Sequence, residues 1–177
     1  MKIACLGWGS LIWKPQQLPL AGDWHRDGPD MPIEFSRVGD GGELATAVCM
    51  NAPAVQVYWA LLNVETLQQA ILALREREQI PASREDGIGV LILRGDPTGD
   101  LAQWMAEKGL DAVIWTALPP RLNGLEGRIP CVDDALGYLR TLEGETLEHA
   151  QDYIRRVPAE FETPYRKAIR EQLGWDC

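Results

Sequence analysis

The sequence predicts an α+β fold, in which a mixed, partly closed β-sheet or barrel packs on one long helix and a helical C-terminal extension follows. Three observations lead to this prediction. Strand-like segments fill most of the first half of the chain, one long amphipathic helix interrupts them, and only helical segments follow residue 118. Strands and helices do not alternate as a doubly wound parallel sheet requires. We therefore expect residues 1–118 to form the core and residues 119–177 a helical extension of the same domain.

Strands of the first half are predicted from short apolar or alternating segments that end at turn residues. The run KIACL stops at Gly7, and residues 16–31, rich in proline, glycine and aspartate, read as an irregular connection. The turn GDGG then divides two strands as a hairpin. The expected strands cover residues 2–6, 31–38, 43–50 and 55–63.

One long helix is predicted over residues 65–79, with Asn63 as a candidate N-cap. Its apolar residues keep the i, i+3, i+4, i+7 spacing of a helix face that packs on a sheet. These residues are Leu67, Ala70, Ile71 and Leu74.

The order of elements continues with a strand over residues 87–95, which we expect at the centre of the sheet because both of its faces are apolar. A helix ended by Gly109 and a final strand over residues 111–118 follow. After a loop, three helices complete the chain. They are predicted at residues 132–144, 146–157 and 163–174, the last with Thr163 as cap, Pro164 in the first turn and Gly174 at its end.

Composition and charge narrow the classes of function. The 177 residues carry a net charge of −9, which repels a phosphate backbone and argues against nucleic acid as a partner. The sequence has neither a basic, apolar leader nor a stretch long enough to span a bilayer, so we expect a cytoplasmic protein without a membrane partner. Four separated cysteines and two histidines give no metal-ligand spacing, and Cys5, Cys49, Cys131 and Cys177 are interpreted as ordinary thiols. The oligomeric state is left open.

The segment LGWGSLIWKP, residues 6–15, places two glycines directly after the first strand. It does not fit the dinucleotide fingerprint, because Ile12 stands at the third glycine position, and it lacks the spacing of a P-loop or of a G-x-S-x-G nucleophile elbow. Two interpretations stay open. Either the segment is a tight turn, which spacing alone favours, or its backbone N–H groups converge on a ligand oxygen.

The same segment resembles the Y-G-S-L-I-W-x-P signature of the ChaC-type γ-glutamylcyclotransferases, within the wider γ-glutamylcyclotransferase-like superfamily. The resemblance implies that Trp8, Gly9, Ser10 and Leu11 hold a γ-glutamyl group, largely through backbone groups. The superfamily also has a strand, a helix and a glutamate near the end of that helix, which the ChaC branch usually precedes with arginine. The matching pair here is Arg77 and Glu78.

Helix geometry supports Glu78 independently of the resemblance. At about 100° per residue, Leu67, Leu74 and Glu78 lie within about 40° of one direction, whereas Glu76 points the opposite way. We expect Glu78 to face the sheet and its pKa to be raised by partly apolar surroundings, as suits proton transfer. The alternative is that the helix frays before Gln79 and Glu78 is an ordinary surface charge.

The activity that the resemblance implies is an intramolecular aminolysis of a small γ-glutamyl amide or peptide, which releases 5-oxoproline without a metal or an organic cofactor. The sequence departs from the pattern at Trp8, where the signature has tyrosine, and at Trp59, where members usually have glycine. The resemblance covers roughly the first half of the chain. A non-catalytic binding or interaction module that keeps the fold is the alternative, and hydrolysis by a cysteine or serine is a third hypothesis.

Overall fold

The computed structural model describes residues 1–175 and contains nine strands and five helices over this range. The strands are β1 (Ile3–Gly7), β2 (Asp30–Val38), β3 (Leu44–Val48), β4 (Ala54–Gln56), β5 (Tyr58–Leu61), β6 (Ile88–Ile92), β7 (Ala112–Thr116), β8 (Arg121–Leu122) and β9 (Leu125–Glu126). The helices are α1 (Leu67–Arg77), α2 (Asp100–Lys108), α3 (Val132–Arg140), α4 (Gly144–Arg156) and α5 (Pro164–Leu173). The predicted α+β class is confirmed, with two mixed sheets of which one is curled into a half-barrel.

The chain forms two compact units that are interleaved in sequence. The first unit comprises Met1–Gly7, Leu11–Asp30 and Gln56–Leu118. The second unit comprises Trp8–Ser10, Met31–Val55 and the described chain from Pro119 onward. The chain thus leaves the first unit for good after Leu118, but the second unit also takes in β3 and most of β2.

The first unit is built on a four-stranded sheet in the order β5–β1–β7–β6. Strand β1 runs parallel to β7 and antiparallel to β5, and β6 pairs antiparallel with β7. Helix α1 packs on β6 and β7. The predicted apolar face meets the sheet, since Ala70 and Leu74 are fully buried beside Ile3, Cys5 and Ile114.

The start of α1 corrects the predicted cap. Asn63 is exposed and its backbone N–H donates to Pro19 O, before the helix begins. Thr66 is the N-cap, and its side chain accepts from the backbone N–H of Gln69 while the Gln69 side chain accepts from the Thr66 N–H. This reciprocal capping box satisfies two of the helix's unpaired donors, which an asparagine three residues earlier does not reach.

The structure differs from the predictions made for residues 55–63 and for strand β6. The predicted strand over residues 55–63 is divided at Val57, whose backbone N–H donates to Pro29 O and whose carbonyl accepts from Gly28, so that β4 joins β2 and β5 joins β1. The apolar strand β6 is an edge strand rather than a central one, because over residues 1–175 it pairs with β7 alone.

The strand β7 is not the last strand, because β8 and β9 form a hairpin after it. Asn123 and Gly124 at its turn both have positive φ, 54° and 74°. An Asn-Gly pair with this backbone is the most specific short hairpin signal in a sequence.

The second unit has a five-stranded sheet in the order β3–β2–β8–β9, with β4 also on β2. Helix α4 packs on β3, and α3 packs on α5. The predicted ends of α5 are confirmed: the Thr163 side chain accepts from Arg166 N, Pro164 opens the helix, and Gly174 closes it with φ 72°. Arg166, 1% exposed, donates from its guanidinium to the carbonyls of Ile154, Val157, Pro158 and Phe161, at and after the end of α4.

Candidate functional site

The segment Trp8–Ser10 is held in the second unit by two side chains that the sequence did not indicate. Thr46 on β3 donates from Oγ1 to Trp8 O at 3.0 Å. The Tyr153 hydroxyl, on α4, accepts from Thr46 N at 3.1 Å and lies 3.0 Å from Thr46 Oγ1. Because the single Thr46 hydroxyl proton goes to Trp8 O, Tyr153 is the donor in the second bond. The three residues form one hydrogen-bonded chain, which we call the Trp8 clamp.

Close approach explains the glycine at position 9. A Cβ on Gly9 would lie 2.6 Å from the Tyr153 hydroxyl oxygen and 2.7 Å from Thr46 Oγ1. Its φ is not positive, so the position does not require glycine for a left-handed turn. In the first unit Gly7 is constrained in the same way, with its Cβ position 2.6 Å from the Trp24 ring. Both glycines therefore allow side chains to pack directly against the backbone.

The remaining residues of the segment have different surroundings. Trp8 is 5% exposed, and Gly9 and Ser10 are half-buried. Leu11 belongs to the first unit, where its side chain is part of the apolar core with Ile3, Cys5 and Leu18. The side chain of Leu11 is thus a packing residue, and the backbone role that the resemblance gives it stays a prediction.

Glu78 is the C-cap of α1 and lies in the first unit. Its side chain is 17% exposed, whereas Glu76 is exposed, as the helix geometry predicts. The helix ends at Arg77 and Gln79 has φ 56°, so Glu78 is the last residue in helical conformation. The carboxylate is therefore at the end of a rigid element and mostly withdrawn from solvent.

Arg77 positions the carboxylate of Glu78 and holds the chain that follows the glycine turn. Its Nη1 lies 3.1 Å from Glu78 Oε1. Its Nε and Nη2 donate to Lys14 O at 3.0 and 2.8 Å. The Arg77 side chain, only 10% exposed, thus joins the end of α1 to the C-terminal part of LGWGSLIWKP within the first unit. The rise that the sequence predicts in the pKa of Glu78 stays a prediction.

The pKa of the Cys5 thiol, on β1, depends on the charge of the Glu78 carboxylate. Burial raises the pKa of the Cys5 thiol, and the Glu78 carboxylate adds to the rise while Arg77 reduces it. The charge of the Glu78 carboxylate therefore affects a buried thiol in the core of the first unit. A thiol with a raised pKa is a poor nucleophile at neutral pH, which argues against hydrolysis through Cys5.

Trp59, which stands where members of the family usually have glycine, has its hydrogen-bond and ring partners within the first unit. Its indole Nε1 donates to Asp27 Oδ1 at 2.8 Å, and its ring lies 4.6 Å from the His25 ring and 5.5 Å from the Trp104 ring, centroid to centroid. Two hydrogen bonds, the one from Lys108 with the larger effect and the one from Trp59, lower the pKa of Asp27 to about 2. The indole thus fastens the irregular connection 16–31 to the sheet.

Two arginines that lie on strands also have structural partners in the second unit. Arg37 donates to Pro119 O and forms a two-point ion pair with Glu126. Arg121 donates to Val38 O and pairs with Asp40. Their guanidinium groups tie the β8–β9 hairpin to β2.

Over residues 1–175, His, Cys, Asp and Glu side chains do not gather in groups of three that could hold a metal ion. In the same range, no helix is both long and apolar enough to cross a membrane. Cys5 and Cys49 are buried and Cys131 is exposed, and Cys177 lies outside the described residues.

Comparison of the sequence with protein-family models finds no match, and comparison with curated proteins finds none either. The structure places the candidate residues in two separate groups, one in each unit. Arg77, Glu78 and Lys14 come together in the first unit, and Trp8, Gly9, Thr46 and Tyr153 in the second.

Proposed function

We propose that the protein is a γ-glutamylcyclotransferase-like enzyme that acts on a small γ-glutamyl amide or peptide and releases 5-oxoproline. The observation that carries this proposal is the geometry of Glu78. A largely buried carboxylate ends a rigid helix, and its arginine neighbour also binds the backbone of the glycine-turn segment at Lys14. Positioned carboxylates of this kind serve as general acids and bases.

The proposed reaction needs one group that moves protons. The α-amine of the γ-glutamyl moiety attacks its own γ-carbonyl carbon, so that a C–N bond forms and closes a five-membered ring. Glu78 accepts a proton from the attacking amine and delivers it to the leaving nitrogen as the original γ-amide C–N bond breaks. The products are 5-oxoproline and a free amine, and atoms and charge balance without an oxidant, a metal or an organic cofactor.

The segment Trp8–Leu11 is proposed to hold the γ-glutamyl group in the ring-closing pose through backbone N–H groups. The Trp8 clamp supports this role, because it fixes the carbonyl of Trp8 and leaves no room for a side chain at Gly9. We propose a cytoplasmic setting and neither nucleic acid nor membrane as a partner.

The reaction is tested by incubating the protein with γ-glutamyl dipeptides and γ-glutamyl alkylamines and measuring 5-oxoproline by mass spectrometry. The matched control substrate carries an acetyl group on the α-nitrogen, which removes the nucleophile and leaves the γ-amide intact. We expect 5-oxoproline from the free amines and no reaction of the acetylated compounds. Release of glutamate or acetylglutamate instead would show hydrolysis and contradict the proposal. Binding of γ-glutamyl compounds without turnover would support the non-catalytic module.

A further inference from the structure

A pocket of about 320 Å³ lies entirely within the second unit, apart from the residues assigned to the cyclotransferase reaction. Its walls are mainly apolar and include Pro53, Ile129 and Pro164. Its polar lining residues include Glu34, on β2. A mostly apolar cavity of this size with a few polar groups is the usual form of a small-molecule site.

Glu34 is 2% exposed, which is unusual for an acidic residue. Its carboxyl group has three hydrogen-bond donors. Its Oε1 accepts from Phe35 N at 2.9 Å and from Thr163 Oγ1 at 2.5 Å. Its Oε2 accepts from Tyr165 N at 3.3 Å, a long hydrogen bond. Since a carboxylate oxygen accepts two hydrogen bonds, Oε2 has acceptor capacity left.

No cation balances this carboxyl in the part of the chain that the structure describes, because no lysine, arginine or histidine forms an ion pair with Glu34 there. The nearby guanidinium of Arg166 lies over the Phe35 ring and donates to backbone carbonyls. A buried carboxylate without a cation is costly, and a ligand that supplies one recovers part of that cost. The overall charge of −9 also attracts cationic ligands.

The pocket is accessible from solvent. Ile129 is 41% exposed and Cys131 is exposed, and both line the pocket. Met50, between the lining residues Cys49 and Asn51, is 80% exposed. Exposed apolar side chains beside an apolar cavity favour a ligand with an apolar body.

We propose that this pocket, the Glu34 pocket, binds a small organic amine. Its ammonium group pairs with the Glu34 carboxylate, and its hydrocarbon part lies against Pro53, Ile129 and Pro164. The site is independent of the cyclotransferase reaction, since none of its lining residues is assigned a role there.

The probes for this site are benzylamine and benzyl alcohol, which have the same size and differ in charge. Isothermal titration of the full chain at pH 7.5 is expected to show benzylamine bound at least tenfold more tightly than the alcohol. Glu34→Gln keeps the shape of the side chain and removes its charge, and it should abolish that preference. Equal binding of the two probes, or no binding of benzylamine to the folded protein, would overturn the proposal.

Two further measurements keep the test decisive if Glu34→Gln does not fold. Ala52 lines the pocket away from the helix cap, and Ala52→Phe should fill the cavity and eliminate benzylamine binding. Benzylamine should also slow iodoacetamide alkylation of Cys131, followed by mass spectrometry of its peptide, at least threefold more than benzyl alcohol does. Undiminished binding in Ala52→Phe, or equal alkylation rates with both probes, would contradict binding in this pocket.

Discussion

At the scale of single residues, the glycine turn is defined by what touches it. Gly9 is required because the Tyr153 hydroxyl and Thr46 Oγ1 occupy the space of a side chain. The sequence indicated the turn from its two glycines, but not this reason, because the contacts join residue 9 to residues 46 and 153. The apolar spacing of Ala150, Tyr153, Ile154 and Val157 shows that Tyr153 faces inward, yet no local pattern names its partner.

Gly9→Ala is expected to lower the free energy of unfolding by about 1–3 kcal/mol, because the methyl group overpacks against the Trp8 clamp. Gly22→Ala is the matched control, since no atom in residues 1–175, apart from those of the adjacent residues, lies within 4 Å of its Cβ position. Urea denaturation of the two variants measures the difference. Equal stability of both variants would show that the clamp does not constrain position 9.

The buried carboxyl of Glu34 makes the free energy of unfolding depend on pH. Burial raises the pKa of Glu34 above its ordinary value of 4.5, although hydrogen bonds from Thr163, Phe35 and Tyr165 lower it in part. The folded state therefore binds a proton that the unfolded state has lost, and the free energy of unfolding falls as pH rises from about 4.5 to the raised value.

Glu34→Gln should lack this component of the pH dependence. Denaturant titrations of the wild type and the variant between pH 4.5 and 8 measure this component. As the pH rises, we expect the free energy of unfolding of the wild type to fall relative to that of the variant, until the difference between the two becomes constant. Two parallel curves across the whole range would mean that Glu34 has the same pKa in the folded and unfolded states.

At the scale of elements, both ends of α5 were predicted correctly, whereas the N-cap of α1 and the pairing of strands were not. Thr163, Pro164 and Gly174 predicted α5 because caps act locally. The edge position of β6 could not be read from its apolar run, because the run does not reveal which strands pair with it. The break at Val57 depends on hydrogen bonds with Gly28 and Pro29, far away in the sequence.

The end of α4 depends on a charged side chain from α5. Arg166→Met should lower the free energy of unfolding by at least about 2 kcal/mol, because several buried carbonyls lose their donor. Arg170→Met is the control, since Arg170 is partly exposed and pairs with Glu162, and it should change stability by less than about 1 kcal/mol. Thermal unfolding with calorimetry compares them, and similar effects of the two changes would contradict the structural role of Arg166.

At the scale of the whole molecule, the α+β class followed from the order of the elements, whereas the interleaving of two units did not. Composition changes at Pro119, but the chain had already supplied Met31–Val55 to the second unit. Such interleaving arises from long-range pairing of β2 with β8, which a sequence pattern does not encode. Helix periodicity predicted that Glu78 is less exposed than Glu76, whereas no local pattern indicated that Thr46 and Tyr153 contact the glycine turn.

A fragment of residues 1–118 tests this organisation. It contains every residue of the first unit but only Trp8–Ser10 and Met31–Val55 of the second. Ile33, Phe35 and Leu44, which are fully buried in the whole chain, should then be exposed. We expect the fragment to bind a hydrophobic dye and to unfold with less cooperativity than the full chain. A fragment that unfolds in one sharp transition without binding dye would show that the first unit and β2–β3 are stable by themselves.

The central claim is that Glu78 moves the proton in a γ-glutamyl cyclisation. The most direct measurement is the rate of 5-oxoproline release by the wild type, Glu78→Gln and Glu76→Gln, with thermal unfolding to verify that each variant is folded. Glu76 is two residues away on the same helix end but exposed, so it is the matched control. We predict that Glu78→Gln lowers kcat by about 10²–10⁴-fold and that Glu76→Gln leaves it within about twofold. Wild-type rates in folded Glu78→Gln would contradict the account.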